Sequence, residues 1–208
     1  WETALRKNRK AEIPDALEEM QTRAVAMRNM MERVERVEII DSLTVDASDF
    51  FRHYRLSPGA GRLSDGAGSV DDAWLVYTPE CGREMFWTSM PDSAGSVAIM
   101  SAAILDDGTV EGVSQLKTGM EADATAFPFL MPDGVTLYFA AKGPESLGGY
   151  DIFMTRRTDD GSFLQPQNVG MPYNSPANDY MLAIDEGAGI GWWATDRNAP
   201  EGKVTIYE

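Results

Sequence analysis

The first apolar rhythm along the chain is helical. Ile13, Leu17, Met20, Ala24, Met27, Met31 and Val34 recur at alternating spacings of four and three, one stripe on an otherwise charged segment. Pro14 sits where a first helical turn tolerates proline, and Asp15, Glu18 and Glu19 follow where the helix dipole favours acids. An N-terminal amphipathic helix is therefore predicted. Its seam reads as a dimeric coiled coil or as a face packed on the protein's own domain, and the second is expected because most amphipathic helices do that. From Val37 to Val45 the period shortens to that of an extended strand. Residues 57 to 70 carry Pro58, Gly59, Gly61, Gly66 and Gly68 in a polar setting and read as a linker.

Beyond that point the chain repeats. Asp106-Asp107-Gly108 returns 53 residues later as Asp159-Asp160-Gly161, and Leu116 returns as Val169 at the same interval. Met85-Phe86-Trp87 aligns with Leu137-Tyr138-Phe139 and with Ile190-Gly191-Trp192-Trp193, while Ile99-Met100 aligns with Ile152-Phe153 and Ile206-Tyr207. The second copy divides into four extended runs, 125–131, 135–141, 150–157 and 162–169. Pro132-Asp133-Gly134 and Asp159-Asp160-Gly161 supply hairpin turns with glycine where a positive φ is needed. Four antiparallel strands at a period near 50 residues is the pattern of a β-propeller. The predicted fold is all-β: three four-stranded blades in an incomplete ring, preceded by the amphipathic helix. The predicted organisation is helix and strand over 1–46, linker over 47–72 and repeats over 73–208, with blades at about 73–120, 121–175 and 176–208.

The third copy stops after its third strand. Three blades do not close a ring, so a longer native chain is the expected remedy; pairing by the early strand near Val37 to Val45, or by another subunit, is the alternative. The chain begins at Trp1, from which a processed or trimmed protein is expected.

The second copy also carries a resemblance. Pro132-Asp133-Gly134-Val135-Thr136-Leu137-Tyr138-Phe139 and Gly148-Gly149-Tyr150-Asp151-Ile152-Phe153 resemble the signatures of the TolB-like, WD40-like propeller repeats named for their Pro-Asp dipeptide. Pro166-Gln167-Asn168-Val169-Gly170 and Asn174-Ser175-Pro176 are similar to further elements of envelope proteins of Bacteroidetes-type bacteria. The first copy departs from the pattern at Pro79-Glu80-Cys81-Gly82, and the third at Asp185-Glu186-Gly187. The resemblance implies a periplasmic or outer-membrane-associated protein, a lipoprotein candidate, acting as a non-catalytic scaffold with a protein partner in the envelope. A peptidoglycan-associated neighbour is also implied, although no OmpA-like domain or helical repeat is visible in these residues.

Composition narrows the chemistry. The 208 residues carry 18 Lys plus Arg against 33 Asp plus Glu, a net charge of −15, which argues against nucleic acid and anionic membranes as partners. No run is long and apolar enough for a transmembrane span. One cysteine, Cys81, excludes an internal disulfide, and one histidine, His53, cannot supply a zinc cluster, so neither a metal nor another cofactor is expected. No spacing selects a carboxylate pair for glycoside cleavage, and no nucleophile elbow occurs, so catalytic residues are not assigned. The acidic hairpins read as turns before they read as calcium loops. Trp192-Trp193 reads as packing before it reads as a sugar platform, and one of Arg156 and Arg157 is expected to pair with an acid.

Two functions of different class remain: a scaffold or protein-interaction module, and a glycan-binding or carbohydrate-active propeller. For the first, the loops 141–149 and 170–179 are the expected recognition surface, with Lys142, Glu145, Tyr173, Asn174, Asn178 and Asp179 as candidates.

Overall fold

A computed structural model describes residues 15–32, 34, 36–66, 73–93 and 95–208. Among these residues helix α1 (Asp15–Met31) precedes thirteen strands arranged in three antiparallel sheets. The first sheet contains β2 (Arg62–Ser64), β3 (Ala73–Thr78), β4 (Glu84–Ser89), β5 (Ile99–Ile104) and β6 (Val110–Gln115), in that order. The second runs β7 (Ala124–Leu130), β8 (Thr136–Lys142), β9 (Asp151–Arg156) and β10 (Gln167–Asn168). The third runs β11 (Asp179–Asp185), β12 (Ile190–Thr195), β13 (Lys203–Tyr207) and then β1 (Ser42–Asp46). The four extended runs predicted in the second copy are all present, although the last shrinks to Gln167–Asn168. Pro166, lacking an N–H, stands directly before it.

The strand missing from the third copy comes from the N-terminal part. β1 pairs with β13 from Ser42 opposite Tyr207 to Asp46 opposite Lys203, the alternative to a longer chain. The first sheet has five strands rather than four because β2, inside the stretch read as a linker, pairs with β3. Residues 47–66 are not an empty connector. They fold into two short 3-10 turns that place Phe50, Phe51, Tyr54 and Ala60 in the core, all less than a tenth exposed. No glycine count announces this; the aromatic cluster at Phe50, Phe51 and Tyr54 does, since such side chains gain most by leaving water.

The repeat alignment holds for strands and slips within them, by one residue in the first copy and by two in the third. Met85, Leu137 and Ile190 lie on β4, β8 and β12, the second strand of each copy. In the ladders, however, Phe86 faces Tyr77, Leu137 faces Leu130 and Trp192 faces Ala183, so Leu137 corresponds to Phe86 and Trp192. The Pro132-Asp133-Gly134 hairpin is two residues shorter than the other two, a difference that a constant period hides. A slip of one residue changes the face: Met85 packs with Val76 and Trp87, whereas Leu137 enters the main core with Phe139.

The helix is the other departure. The predicted stripe is not buried, because Met20 is 67% and Met31 63% exposed, and Val34 is exposed as well. Leu17 and Met27 of the stripe are half-buried, as are Arg23, Ala26 and Met30 outside it. Ile13 and Pro14 lie outside the described residues.

Candidate interaction surface

Strands β3, β7 and β11, at equivalent places in the three repeats, share one irregularity. Each ladder shifts register at the same place, after Ala73, Ala126 and Asp179, which are spaced by the repeat interval. The next residues, Trp74, Phe127 and Tyr180, are turned out of their ladders and meet. Phe127 lies edge-on to Trp74 at 5.1 Å and to Tyr180 at 5.6 Å between ring centroids, and Phe50 fills the group at 5.3 Å from Phe127. Phe127 adopts φ 53°, a left-handed conformation that bulky side chains rarely take, which re-aims its ring out of the sheet. This aromatic hub was legible as three aromatics at the exact repeat interval, a signal the turn-based alignment passed over.

The sheets are joined by polar side chains at equivalent positions. Thr125 Oγ1 accepts from the Ile99 N–H at 3.1 Å, tying the second sheet to the first. Asn178, one repeat later, accepts from the Tyr150 N–H through Oδ1 at 3.1 Å, tying the third to the second. Asn178 also donates to Asp196 through its amide at 2.6 Å. Gly148 and Gly149 permit this approach: a Cβ on Gly148 would stand 2.0 Å from the Pro176 carbonyl oxygen, and one on Gly149 would meet Asn178. Loops 141–149 and 170–179 therefore do lie together, packed on one another.

That packing removes two candidates from the surface. Asn174 is fully buried and acts as a substitute strand, accepting from the Ile152 N–H at 2.7 Å and donating to the Ile152 carbonyl at 2.8 Å. Asp179 is fully buried too, its Oδ2 accepting from the Ser175 N–H and hydroxyl at 2.6 and 2.8 Å. Asn178 is half-buried in the joint. Short polar side chains satisfy buried backbone groups where loops cannot form ladders, which is why recognition loops and structural joints look alike in sequence.

Asp151 completes the joint. Its Oδ2 accepts from the Leu147 N–H at 3.0 Å and from the Asn168 amide at 2.7 Å, while its Oδ1 is buried without a partner. Burial pushes its carboxyl up to about 6, opposed by those two hydrogen bonds and reinforced by the charge of Asp179. Burial raises the Asp179 carboxyl as well. Of the residues that carry the resemblance, Gly148 and Gly149 lie against the segment that leads into the third sheet, while Asp151, Asn168 and Asn174 bond to one another and to Leu147 and Ile152, holding that segment and its loops on the second.

The hairpin acids are likewise engaged locally. Asp133 accepts from the Val135 and Thr136 N–H groups at 2.8 Å each, and Asp160 accepts from Thr158 and Ser162, whose hydrogen bonds lower its carboxyl to about 2. Among the described residues no three His, Cys, Asp or Glu side chains converge as metal ligands. His53 is exposed at the end of a 3-10 turn. Trp192 and Trp193 are 3% and 5% exposed on opposite faces of β12. Arg157 forms a fork with Glu84 at 2.9 and 3.0 Å and lies over the rings of Phe86 and Phe163.

Beside a hollow of about 430 Å³ at the Arg157–Glu84 fork, two concave surfaces bear on the candidates. The larger, about 1010 Å³, lies where the first sheet hands over to the second. Asp92, Glu121, Asp123 and Glu145 line it together with one cation, Lys117, and no aromatic side chain contributes to its described lining. Lys142 is exposed beside it at the end of β8, paired in register with Ala124. The smaller, about 370 Å³, is an apolar groove over the third sheet, lined in part by Tyr173. Of the six candidates, Glu145 lines the first surface, with Lys142 beside it, and Tyr173 lines the second. No helix among the described residues is long and apolar enough to cross a membrane. Compared with family models, curated proteins and solved structures, the chain matches none.

Proposed function

We propose that this chain is a non-catalytic protein-interaction module, a scaffold of a bacterial cell envelope, in which the three sheets act as propeller-type blades. The blade reading rests on the common strand order, the constant interval and the convergence of Trp74, Phe127 and Tyr180 from equivalent bulges. The envelope setting rests on the resemblance of the joint residues to TolB-like repeats.

The observation that carries the interaction reading is the acid-lined, aromatic-free cleft between the first two sheets. Four carboxylates against Lys117 in the lining and Lys142 beside it favour a cationic protein surface by charge complementarity. A glycan-binding propeller would use exposed rings as stacking platforms, and Trp192 and Trp193 are spent on packing.

The test is photo-crosslinking of the full chain in its native cells, with the reactive side chain at Glu121 or Asp123 and, as control, at the Asp106 hairpin. Protein adducts at the two cleft positions and none at the hairpin are expected. Saturable binding to a glycan array, or hydrolysis of envelope glycans, would overturn the reading.

A further inference from the structure

The smaller groove has a chemistry of its own. Its floor is Leu182, Ile184 and Trp193 on the third sheet, and its wall is Val37 and Ile40 on the segment leading into β1. Ile40 is 60% exposed, a large apolar side chain left at the mouth. Glu38, Glu186 and Glu208 stand around it, and its described lining contains no cation. Asp185 also borders it, but that carboxylate already accepts from the Ser57 N–H at 2.7 Å. Trp193 is held between Tyr207, stacked at 5.0 Å, and Tyr173, edge-on at 5.2 Å, and its indole N–H is buried with no acceptor.

We infer that this groove docks a segment of a partner protein in which one apolar side chain is flanked by lysine or arginine. The inference rests on the reading of the chain as an interaction module and names the chemistry of one partner. An apolar floor alone would accept any hydrophobic side chain. The three glutamates at its edge select one whose neighbours are cationic, and they repel the acidic surface that most of this protein, at net charge −15, presents to a second copy of itself.

The test uses the full chain against an array of twelve-residue peptides, each with one Leu, Met or Phe flanked on both sides by Lys and Arg. A matched array carries Asp and Glu flanks. Saturable binding to the first array and none to the second is expected, weakening with added salt. Glu38→Lys combined with Glu186→Lys should lower the affinity at least tenfold, as should Ile40→Asp, while Asp106→Lys with Asp159→Lys, the same change of charge on two hairpins away from both concave surfaces, leaves it unchanged. All of these are exposed positions, so the fold is retained, and circular dichroism checks that. Absence of saturable binding overturns the inference, as does equal loss in the groove and hairpin variants, which would mean diffuse charge attraction. Self-association abolished by Glu38→Lys would instead assign the groove to a second copy and also overturn it. Glycan binding in the earlier experiment would sink the module reading while leaving the peptide result to stand or fall separately.

Discussion

The phenolic oxygen of Tyr77 donates a 2.6 Å hydrogen bond to the backbone carbonyl of Leu130, a residue 53 positions further along that occupies the same place in the next sheet. The same hydroxyl lies 3.1 Å from the Ala60 carbonyl, so one buried side chain links two sheets and the 3-10 turn before them. Burial raises the hydroxyl far above its ordinary pKa, which keeps it a donor at any working pH. Tyr77→Phe should therefore destabilise the protein by about 1–2 kcal/mol, the cost of leaving buried carbonyls without a donor. Urea unfolding with an unchanged m-value checks this; an unchanged midpoint would show that the bond contributes nothing.

Phe127→Ala probes the aromatic hub. The ring is 1% exposed and touches Trp74, Phe50 and Tyr180, so its removal should cost about 3–5 kcal/mol. Phe127→Gly loses the same packing but relieves the positive φ, and should prove no worse than the alanine variant even though glycine is ordinarily the poorer residue in a strand. Thermal unfolding of the two variants side by side measures the strain directly.

Asp151 should give stability a definite pH signature. Its native carboxyl titrates at about 6 against an unfolded value near 3.8, so the native state holds the extra proton between those limits. Stability from this group is fully present below the unfolded value and is lost as pH rises through the native one, a change of about 3 kcal/mol. Asp151→Asn keeps an acceptor for Leu147 and Asn168 and removes the charge beside Asp179. The variant should be the more stable protein at pH 7 to 8, with its advantage vanishing toward pH 4. Denaturant unfolding across that range decides it, and a constant difference between the two proteins would contradict the assignment.

Closure of the third sheet by β1 is open to a backbone test. Asp41 and Glu208 exchange two hydrogen bonds, and since bonded pairs alternate in an antiparallel ladder, Val45 opposite Val204 is bonded too. Val45→Pro removes that donor and should expose β13 as an edge. Hydrogen exchange at Lys203–Tyr207 should accelerate by at least tenfold, while β7 to β9 remain protected.

The Arg157 fork predicts a difference between two cations. Arg157→Lys keeps the charge but loses the bidentate geometry and the contact over Phe86 and Phe163, and should cost about 1 kcal/mol. A double-mutant cycle with Glu84→Gln should return a coupling of similar size.

What the amino-acid order determined by itself was periodic and local. The 53-residue interval, the Pro132-Asp133-Gly134 and Asp159-Asp160-Gly161 turns and the apolar runs between them specified antiparallel strands, because hairpins are set by neighbours in sequence. The tertiary structure decided what depends on distant partners. It assigned β1 to β13 and β2 to β3, pairings between segments whose short extended patterns have no preferred mate until the rest of the sheet exists. It moved Asn174 and Asp179 from surface candidates into a joint, since the same short polar side chains serve recognition when loops face water and backbone satisfaction when loops pack together. It left Met20 and Met31 of α1 exposed, because an apolar stripe marks a face that can be buried without naming what buries it. Helices and turns are written in neighbouring residues, whereas burial is a property of the whole packed chain.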